Sequence, residues 1–313
     1  MRVSFTKCHG SGNDFPLIDA RALDVRESDW PAIARALADR AGPVGGDGLL
    51  LLTAGDGACA FGMRMFNSDG SEAETCLNGL RCVARAGFAA TGQAQARVRL
   101  KTSVAEVALA DPIAPGVVTI RETVGPADLD AARWPLAGAT RLVEAVVPNL
   151  SSARAFTALA MPNPHLVSFV DHVDDAELSA IGRICEAAPP WLPNRANVSF
   201  VEQRGGDLFV RTFERGVGLT NSCGSAMAAA TFAAGLTNRV QFDVPLTVFN
   251  AGGLIRAEAS AEGMVTLRGN ATFEWAGSAE IELDRALAGD LRVDRWYNDE
   301  IAAWASIVDQ TTK

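Results

Sequence analysis

Two cysteines of this sequence stand where a thiol could act as an acid or a base. Cys76 and Cys223 are each followed by small or polar residues and then by apolar, alanine-rich sequence that predicts a helix, so each marks a helix start. The first turn of a helix leaves backbone N–H groups unpaired and carries partial positive charge, which lowers the pKa of a thiol and can also hold a carboxylate. Each cysteine is therefore a candidate for proton transfer beside a bound carboxylate.

A pair of such helix starts suits inversion of a carbon next to a carboxylate. One thiolate would remove the α-proton, and a thiol on the opposite face would return one. The charge of the carbanion would spread into the carboxylate, near the helix N-termini, while two domains closing on the substrate would exclude water. A single buried cysteine is more often a small apolar residue. We expect that role for the other four, which are Cys8, Cys59, Cys82 and Cys185.

Alternating apolar segments separated by turn residues predict many antiparallel strands. These segments cover 2–6, 15–19, 48–53, 58–66, 103–109, 141–147, 164–170, 197–203, 207–213, 242–249 and 263–269. Helices are predicted from Ser28 onwards and over about 77–90, 175–187, 224–236 and 298–310. The last helix would place Ile301, Trp304, Ile307 and Val308 on one face, for packing on its own chain or on a subunit partner.

The two candidate cysteines are 223 − 76 = 147 residues apart, close to half of the 313-residue chain. Each follows a strand and a glycine-containing turn and opens an alanine-rich helix, which indicates two related halves, each a sheet around one buried helix. We therefore expect an α+β fold with two pseudo-symmetric domains. Residues 1–124 with 276–313 would form the domain of Cys76, and residues 125–275 the domain of Cys223.

The composition excludes several classes of function. A net charge of −9 and a pI of about 4.9 without a basic run disfavour nucleic acid and anionic membranes as partners. Neither a long apolar span nor an export segment is found, so we expect a cytoplasmic protein with reduced thiols. Three lysines, three histidines and the lack of a Cys-x-x-Cys pair disfavour pyridoxal phosphate and zinc, and nucleotide-binding motifs are missing. No cofactor and no metal are expected.

At these residues the sequence resembles the diaminopimelate epimerase family, in blocks that cover most of residues 1–283. The order and spacing of the blocks carry the resemblance more than any one of them. The N-terminal blocks are Lys7-Cys8-His9-Gly10-Ser11-Gly12-Asn13-Asp14-Phe15, Gly46-Asp47-Gly48-Leu49-Leu50, Phe66-Asn67-Ser68-Asp69-Gly70-Ser71-Glu72 and Cys76-Leu77-Asn78-Gly79-Leu80-Arg81-Cys82. The C-terminal blocks are Asn163-Pro164-His165, Asn197-Val198-Ser199-Phe200, Glu214-Arg215-Gly216-Val217-Gly218 and Cys223-Gly224-Ser225.

The resemblance implies an enzyme without cofactor or metal, built from two domains that are each a mostly antiparallel, β-barrel-like sheet around a central helix. It assigns catalysis to Cys76 and Cys223. It assigns the clamp for the reacting carboxylate to the backbone at Leu77, Asn78, Gly224 and Ser225, and substrate contacts to Asn13, Asn67, Asn163 and Asn197. Arg215 would pair with the distal carboxylate of the substrate and Glu214 would lie near its ammonium group, whereas His9 and His165 receive no role in proton transfer.

Three positions depart from the pattern of that family. Leu77 and Ala226 stand where the family usually has glycine, and Leu219 stands where it usually has glutamate. The leading expectation is epimerisation of LL-diaminopimelate to the meso form, for lysine and cell-wall peptide synthesis. A related two-cysteine racemase of another amino acid, such as histidine, and a non-catalytic amino-acid-binding homologue stay open. A small-molecule amino-acid substrate is the expected partner, and a homodimer is allowed for.

Overall fold

The structure, a computed structural model, describes residues 1–311 and divides into two compact units. Unit 1 comprises Met1–Glu122 and Arg268–Thr311, and unit 2 comprises Thr123–Leu267. The boundary falls at 267–268 rather than at 275–276, because the strand that begins at Thr272 pairs with the N-terminal strand. Unit 1 is thus built from both ends of the described chain.

Five α-helices are present in the described residues: α1 (Trp30–Ala38), α2 (Leu77–Thr91), α3 (Asp175–Glu186), α4 (Gly224–Leu236) and α5 (Asn298–Thr311). They confirm the predicted helices: every start agrees to within two residues, and the ends of α2, α3, α4 and α5 agree to within one. Their termini follow ordinary capping rules. The Asp174 side chain accepts from the first N–H groups of α3, and Gly92 ends α2 in the left-handed conformation with φ of 73°.

The strands are more numerous than the sequence indicated. The chain to residue 124 forms β1 (Arg2–Gly10), β2 (Asn13–Asp19), β3 (Gly48–Ala54), β4 (Phe61–Asn67), β5 (Glu72–Ala73), β6 (Gln95–Arg99), β7 (Val104–Ala110) and β8 (Thr119–Val124). The middle of the chain forms β9 (Ala145–Val146), β10 (Ala155–Ala160), β11 (Pro164–Val170), β12 (Asn197–Arg204), β13 (Asp207–Glu214), β14 (Gly218–Thr220), β15 (Leu246–Asn250), β16 (Gly253–Ala259) and β17 (Val265–Asn270). Two long strands follow, β18 (Thr272–Glu282) and β19 (Leu287–Trp296).

Both units repeat one topology. An antiparallel hairpin, a helix and a strand parallel to the second hairpin strand occur as β1–β2–α1–β3 and again as β10–β11–α3–β12. An antiparallel strand, a short strand, a helix and a parallel strand then occur as β4–β5–α2–β6 and as β13–β14–α4–β15. Each parallel pair needs a crossover, which the helices supply. The two related halves expected from the cysteine positions are confirmed.

In unit 1 the sheet is buried on both faces. Leu49 and Leu51 of β3 share a core cluster with Ile33 and Leu37 of α1. Leu50, which points to the opposite face, lies against α2: a Cβ on Gly79 would come within 2.7 Å of its side chain. Because β3 is covered on both sides, its sequence is a continuous apolar run rather than an alternating one.

In unit 2 the second central helix is buried all round. Residues 226–235 of α4, mostly alanine, are all buried, and the helix contacts β10, β11, β12, β13 and β16. A helix that is apolar on every side must be enclosed, and alanine lets the strands approach closely. The other face of this sheet packs on α3, where Leu178 and Ile181 join Val198 and Phe200 in one cluster. Sheets around central helices are therefore confirmed.

Two regions differ from the expectation or extend it. Of the predicted strand 141–147, two residues form β9, while Leu142 and Val147 are buried in the core of unit 2. The C-terminal residues form β19, antiparallel to β18, and then α5, whose Trp304 and Ile307 are buried. Among the described helices, none has the length and apolar character that crossing a membrane requires.

Candidate active site

Cys76 is the residue from which α2 starts. Its backbone is extended, with φ of −150° and ψ of 107°, and its Sγ accepts a hydrogen bond from the Gly79 N–H at 3.4 Å. A Cβ at position 79 would lie 2.7 Å from Leu50 Cδ2, so the glycine lets the first turn of α2 pack closely on β3. The structure thereby places a half-buried thiol at the positive end of a buried helix, as the sequence indicated.

Two amide side chains meet at this thiol. Asn13 Oδ1 lies 3.6 Å from Cys76 Sγ and accepts from Asn78 Nδ2 at 3.3 Å. The Asn13 amide group donates from Nδ2 to Asp47 Oδ2 at 2.5 Å. Because a carboxylate can only accept, Asp47 fixes which way the Asn13 amide points, and its carbonyl oxygen faces the sulfur. Three of the residues predicted for the site, Cys76, Asn13 and Asn78, are thus brought together.

Behind Asn78 lies a charged side chain that the sequence did not single out. The Arg81 guanidinium, one turn along α2, donates to Asn78 Oδ1 at 2.7 Å, to Glu122 Oε1 at 2.7 Å and to the Asn270 carbonyl at 3.1 Å. Arg81 and Glu122 are 0% and 1% exposed. Burial raises the pKa of the Glu122 carboxyl to about 7, against the opposing effect of the Arg81 charge. This buried pair anchors Asn78.

Asn67 lies at the end of β4, opposite Gly48 in the strand register. Its side-chain amide donates to the Ser71 hydroxyl at 2.9 Å, and its backbone N–H to the Ser71 carbonyl at 2.8 Å. The hydrogen bonds of Asn67 are those of a turn. Its strand partner Gly48 directly follows Asp47, which bonds Asn13. Asn67 therefore lies at the same end of the sheet as Asn13.

In unit 2, Cys223 holds the same place on α4 that Cys76 holds on α2. Its backbone is extended, with φ of −130° and ψ of 111°, its carbonyl accepts the Met227 N–H at 3.0 Å, and its Sγ lies 3.4 Å from the Ser225 hydroxyl. The side chain is 7% exposed. Gly224 and Ser225 therefore contribute first-turn N–H groups beside the sulfur, which is the environment predicted for a carboxylate clamp.

The residues predicted for the distal end of the substrate gather at one end of the parallel pair β11–β12. His165 lies opposite Asn197 in the register, its Nε2 is 3.0 Å from Asn163 Oδ1, and Asn197 Oδ1 accepts the Arg215 backbone N–H at 2.8 Å. Glu214 ends β13 opposite Gly218. The four predicted residues of unit 2 thus lie on neighbouring strand ends.

His165 is the hub of this group. Burial first, and the Arg215 charge second, lower the pKa of its imidazole to about 3. Since Asn163 Oδ1 is an acceptor, the His165 Nε2 carries the proton and donates. Within residues 1–311, His165 Nδ1 and Asn197 Nδ2 are buried without a hydrogen-bond partner. A neutral ring with this bond orients Asn163 and cannot serve as a cationic acid at physiological pH.

The departures from the family pattern have definite places. Leu77 is the first residue of α2, buried, with its backbone N–H in the first turn. Ala226 is fully buried inside α4. Leu219 pairs across β13–β14 with Phe213 and is 36% exposed. Leu77 thus keeps the backbone N–H that the predicted carboxylate clamp needs, whereas Leu219 places an apolar side chain on a partly exposed strand.

Two cysteines expected to be packing residues, Cys8 and Cys185, are buried thiols with raised pKa values. Burial is the largest cause that raises the pKa of Cys8, and it raises that of Cys185 to about 12. Both thiols stay protonated under ordinary conditions. No cluster of three or more histidine, cysteine, aspartate or glutamate side chains suited to a metal occurs within the described part of the chain.

Solved structures with the same fold define the broader class. A PhzF-family phenazine biosynthesis protein from Bacillus anthracis aligns with a TM-score of 0.64 at 14% identity, over 90% of this chain and all of that one. A hydroxyproline epimerase from Agrobacterium vitis aligns with a TM-score of 0.63 at 12% identity, over 96% and 97%. At such identities the likeness is one of fold alone.

Sequence similarity is more specific. The family described as "Diaminopimelate epimerase" matches residues 5–119 and 157–274. A diaminopimelate epimerase from Listeria innocua is 38% identical over 90% of this chain and 89% of its own length. One from Clostridium acetobutylicum is 37% identical over 90% and 87%. The chain belongs to the diaminopimelate epimerase family and is an amino-acid isomerase.

Proposed function

We propose that this chain interconverts LL-diaminopimelate and its meso form, with Cys76 and Cys223 as the acid–base pair. The observation that carries the proposal is the matched place of the two sulfurs: each stands at the N-terminus of a buried central helix, at the equivalent point of a repeated topology. Two relatives at 37–38% identity are diaminopimelate epimerases, which supports this substrate over other amino acids.

In the proposed reaction one sulfur acts as thiolate and takes the α-proton. The electron pair of the broken C–H bond delocalises into the carboxylate, whose oxygens accept from first-turn N–H groups at Leu77-Asn78 and Gly224-Ser225. The second sulfur, as a thiol, gives its proton to the opposite face of the carbon and becomes the thiolate. Atoms and charge balance, and the enzyme ends with the roles of its thiols exchanged. The proposal requires both sulfurs to reach one carbon.

The distal end of the substrate carries an ammonium and a second carboxylate. We assign the carboxylate to Arg215, the ammonium to Glu214, and the remaining polar contacts to Asn13, Asn67, Asn163 and Asn197. The bonds that orient the Asn163 and Asn197 amides support this assignment, because two oriented amides suit an amino-acid end group. The Arg215 charge acts on the nearby His165, and the Arg215 guanidinium donates to the Asn194 carbonyl at 2.9 Å.

A racemase of another amino acid, such as histidine, is the second candidate. The apolar Leu219 on a partly exposed strand favours it, since the resemblance to the family implies a charged glutamate at this position. A homologue that binds an amino acid without catalysis is the third. A cytoplasmic location and a homodimer, both expected from the sequence, stay predictions.

One experiment separates these candidates. The reduced protein is incubated in deuterated water with single amino acids, and deuterium at each α-carbon is followed by mass spectrometry and chiral chromatography. We expect exchange and inversion with diaminopimelate. Exchange with histidine and none with diaminopimelate would select the second candidate, and binding without any exchange would select the third.

Variants test the roles of the sulfurs. Cys76→Ala and Cys223→Ala should each abolish inversion, while Cys59→Ala, which removes a buried thiol outside any helix start, is the matched control and should keep activity. Full inversion by either active-site variant would refute the two-thiol mechanism. Arg215→Ala should impair turnover of diaminopimelate far more than exchange of monocarboxylic amino acids, if any are accepted.

A further inference from the structure

The C-terminal helix α5 lies outside the family match, which ends at residue 274, yet it is an integral part of unit 1. It packs on β18, and the side chains of Trp304 and Ile307 are 5% and 6% exposed. Two of its residues contact elements that carry the Cys76 part of the proposed site.

The first contact fixes α2. Glu300 forms a two-point ion pair with Arg85, at 2.5 Å and 2.7 Å, and both side chains are mostly buried. Glu300 also accepts the Phe273 N–H at 3.2 Å, and the Arg85 guanidinium lies 3.8 Å from the centre of the Phe273 ring and donates to the Ala271 carbonyl. Charge-assisted bidentate pairs hold direction as well as distance, so α5 locks the helix that starts at Cys76.

The second contact fixes the turn that carries Asn13. Trp304 packs on His9, with ring centroids 5.7 Å apart. His9 Nδ1 accepts the Gly12 N–H at 3.3 Å and lies 3.2 Å from the amide nitrogen of Asn270, whose oxygen accepts the Ser11 N–H at 2.7 Å.

The turn itself needs this support. Ser11 and Gly12 both have positive φ, at 52° and 79°, and such a conformation in Ser11 persists only where surrounding bonds hold it. Asn13 follows directly, and its carbonyl faces the Cys76 sulfur.

We infer that Glu300 and Trp304 are positioning residues of the Cys76 half of the site. Neither touches the sulfur. Glu300 acts through Arg85 on the orientation of α2, and Trp304 acts through His9 on the β1–β2 turn and hence on Asn13. The inference rests on the proposed function only in naming Cys76 a catalytic thiol; the geometry of the half site exists without it.

The test compares Glu300→Gln with Asp299→Asn in the full chain. Both remove one negative charge from the first turn of α5, but Asp299 is exposed. Two readouts are taken below the melting temperature of each variant: kcat and KM with diaminopimelate, and the rate at which iodoacetamide alkylates Cys76, read from its peptide by mass spectrometry.

Glu300→Gln should lower kcat by about ten- to a hundredfold with KM changed less than about threefold, since small misplacements of a catalytic group cost that much. It should also speed alkylation of Cys76, because Asn13 and the first turn of α2 would no longer be held firmly against the sulfur. Asp299→Asn should leave both unchanged. Trp304→Leu should act as Glu300→Gln does, and Glu300→Asp should recover part of kcat.

If folded Glu300→Gln and Asp299→Asn share the same kcat and the same alkylation rate, the inference is wrong. Should the protein fail to epimerise diaminopimelate at all, the alkylation readout still decides the matter, so failure of the positioning role and failure of the proposed function are told apart. A variant that unfolds is replaced by the milder Glu300→Asp or Trp304→Leu, read in the same way.

Discussion

Acidification from pH 7 to pH 4 should remove about 3 kcal/mol of stability through His165 alone. The ring is fully buried, and its pKa is about 3 in the folded chain against about 6.5 when exposed. Between these two pH values His165 is protonated in the unfolded chain and neutral in the folded chain. Stability is therefore complete above pH 6.5 and falls as the pH falls through this window, by about 1.4 kcal/mol for each tenfold rise in proton activity.

His165→Gln is the perturbation that isolates this effect. In the parent chain His165 Nε2 lies 3.0 Å from Asn163 Oδ1. A glutamine amide can still donate to that oxygen but does not titrate, so the variant should keep the hydrogen bond while its stability no longer falls with the protonation of residue 165. Whatever the substitution costs at pH 7.5, the difference in unfolding free energy from the parent should move in favour of the variant by about 3 kcal/mol at pH 4.

Urea denaturation from pH 4 to pH 7.5, followed by circular dichroism, measures this difference. His172→Gln is the control, because it makes the same change of side chain at a ring that is 92% exposed. If the unfolding free energies of the parent chain and His165→Gln change equally with pH, the folded chain does not keep the ring neutral. The argument from burial and the Arg215 charge would then be wrong.

Three further predictions concern packing, the buried ion pair and capping. Gly87→Ala should destabilise by about 1–3 kcal/mol in thermal denaturation, because the new Cβ would lie 2.5 Å from the Phe61 ring, and Phe61→Leu in the same chain should relieve it. Arg81→Met should cost about 3–5 kcal/mol of stability, because it leaves the Glu122 carboxyl buried without its partner. Adding Glu122→Gln should restore part of that loss, and equal unfolding midpoints for the single and double variants would contradict this. Asp174→Ala should cost about 1 kcal/mol by removing the cap of α3, and a thermal midpoint unchanged from the parent would show that solvent caps that helix as well.

The helices and the catalytic candidates could be inferred from the sequence because their signals are local. Cys76 and Cys223 precede small residues and then an apolar run, and α4 begins and ends where the pattern indicated. Many strands gave no such signal. β19 alternates polar and apolar residues only over Asp290–Asp294, and Val293 within that stretch is 39% exposed, so pairing with β18 is what defines the strand.

The residues that hold the candidate site in place could not be inferred, since their partners are far apart in the chain. Asp47 orients Asn13 from 34 residues away, and Arg81 reaches Glu122 across 41 residues. A charged residue inside the buried stripe of α2 was the one signal for Arg81. The substrate contacts predicted for unit 2 rest on the resemblance to a family and not on any local sequence pattern.

The order of synthesis imposes a different timetable on the two units. Unit 2 is one continuous stretch and can fold as soon as residue 267 has left the ribosome. Unit 1 has to wait: β1, the first strand made, forms its ladder with β18, almost the last, so that Arg2 faces Glu280 and His9 faces Thr272. β1 stays without β18 until residues 272–282 have been made, and during that interval its unpaired edge needs protection from aggregation.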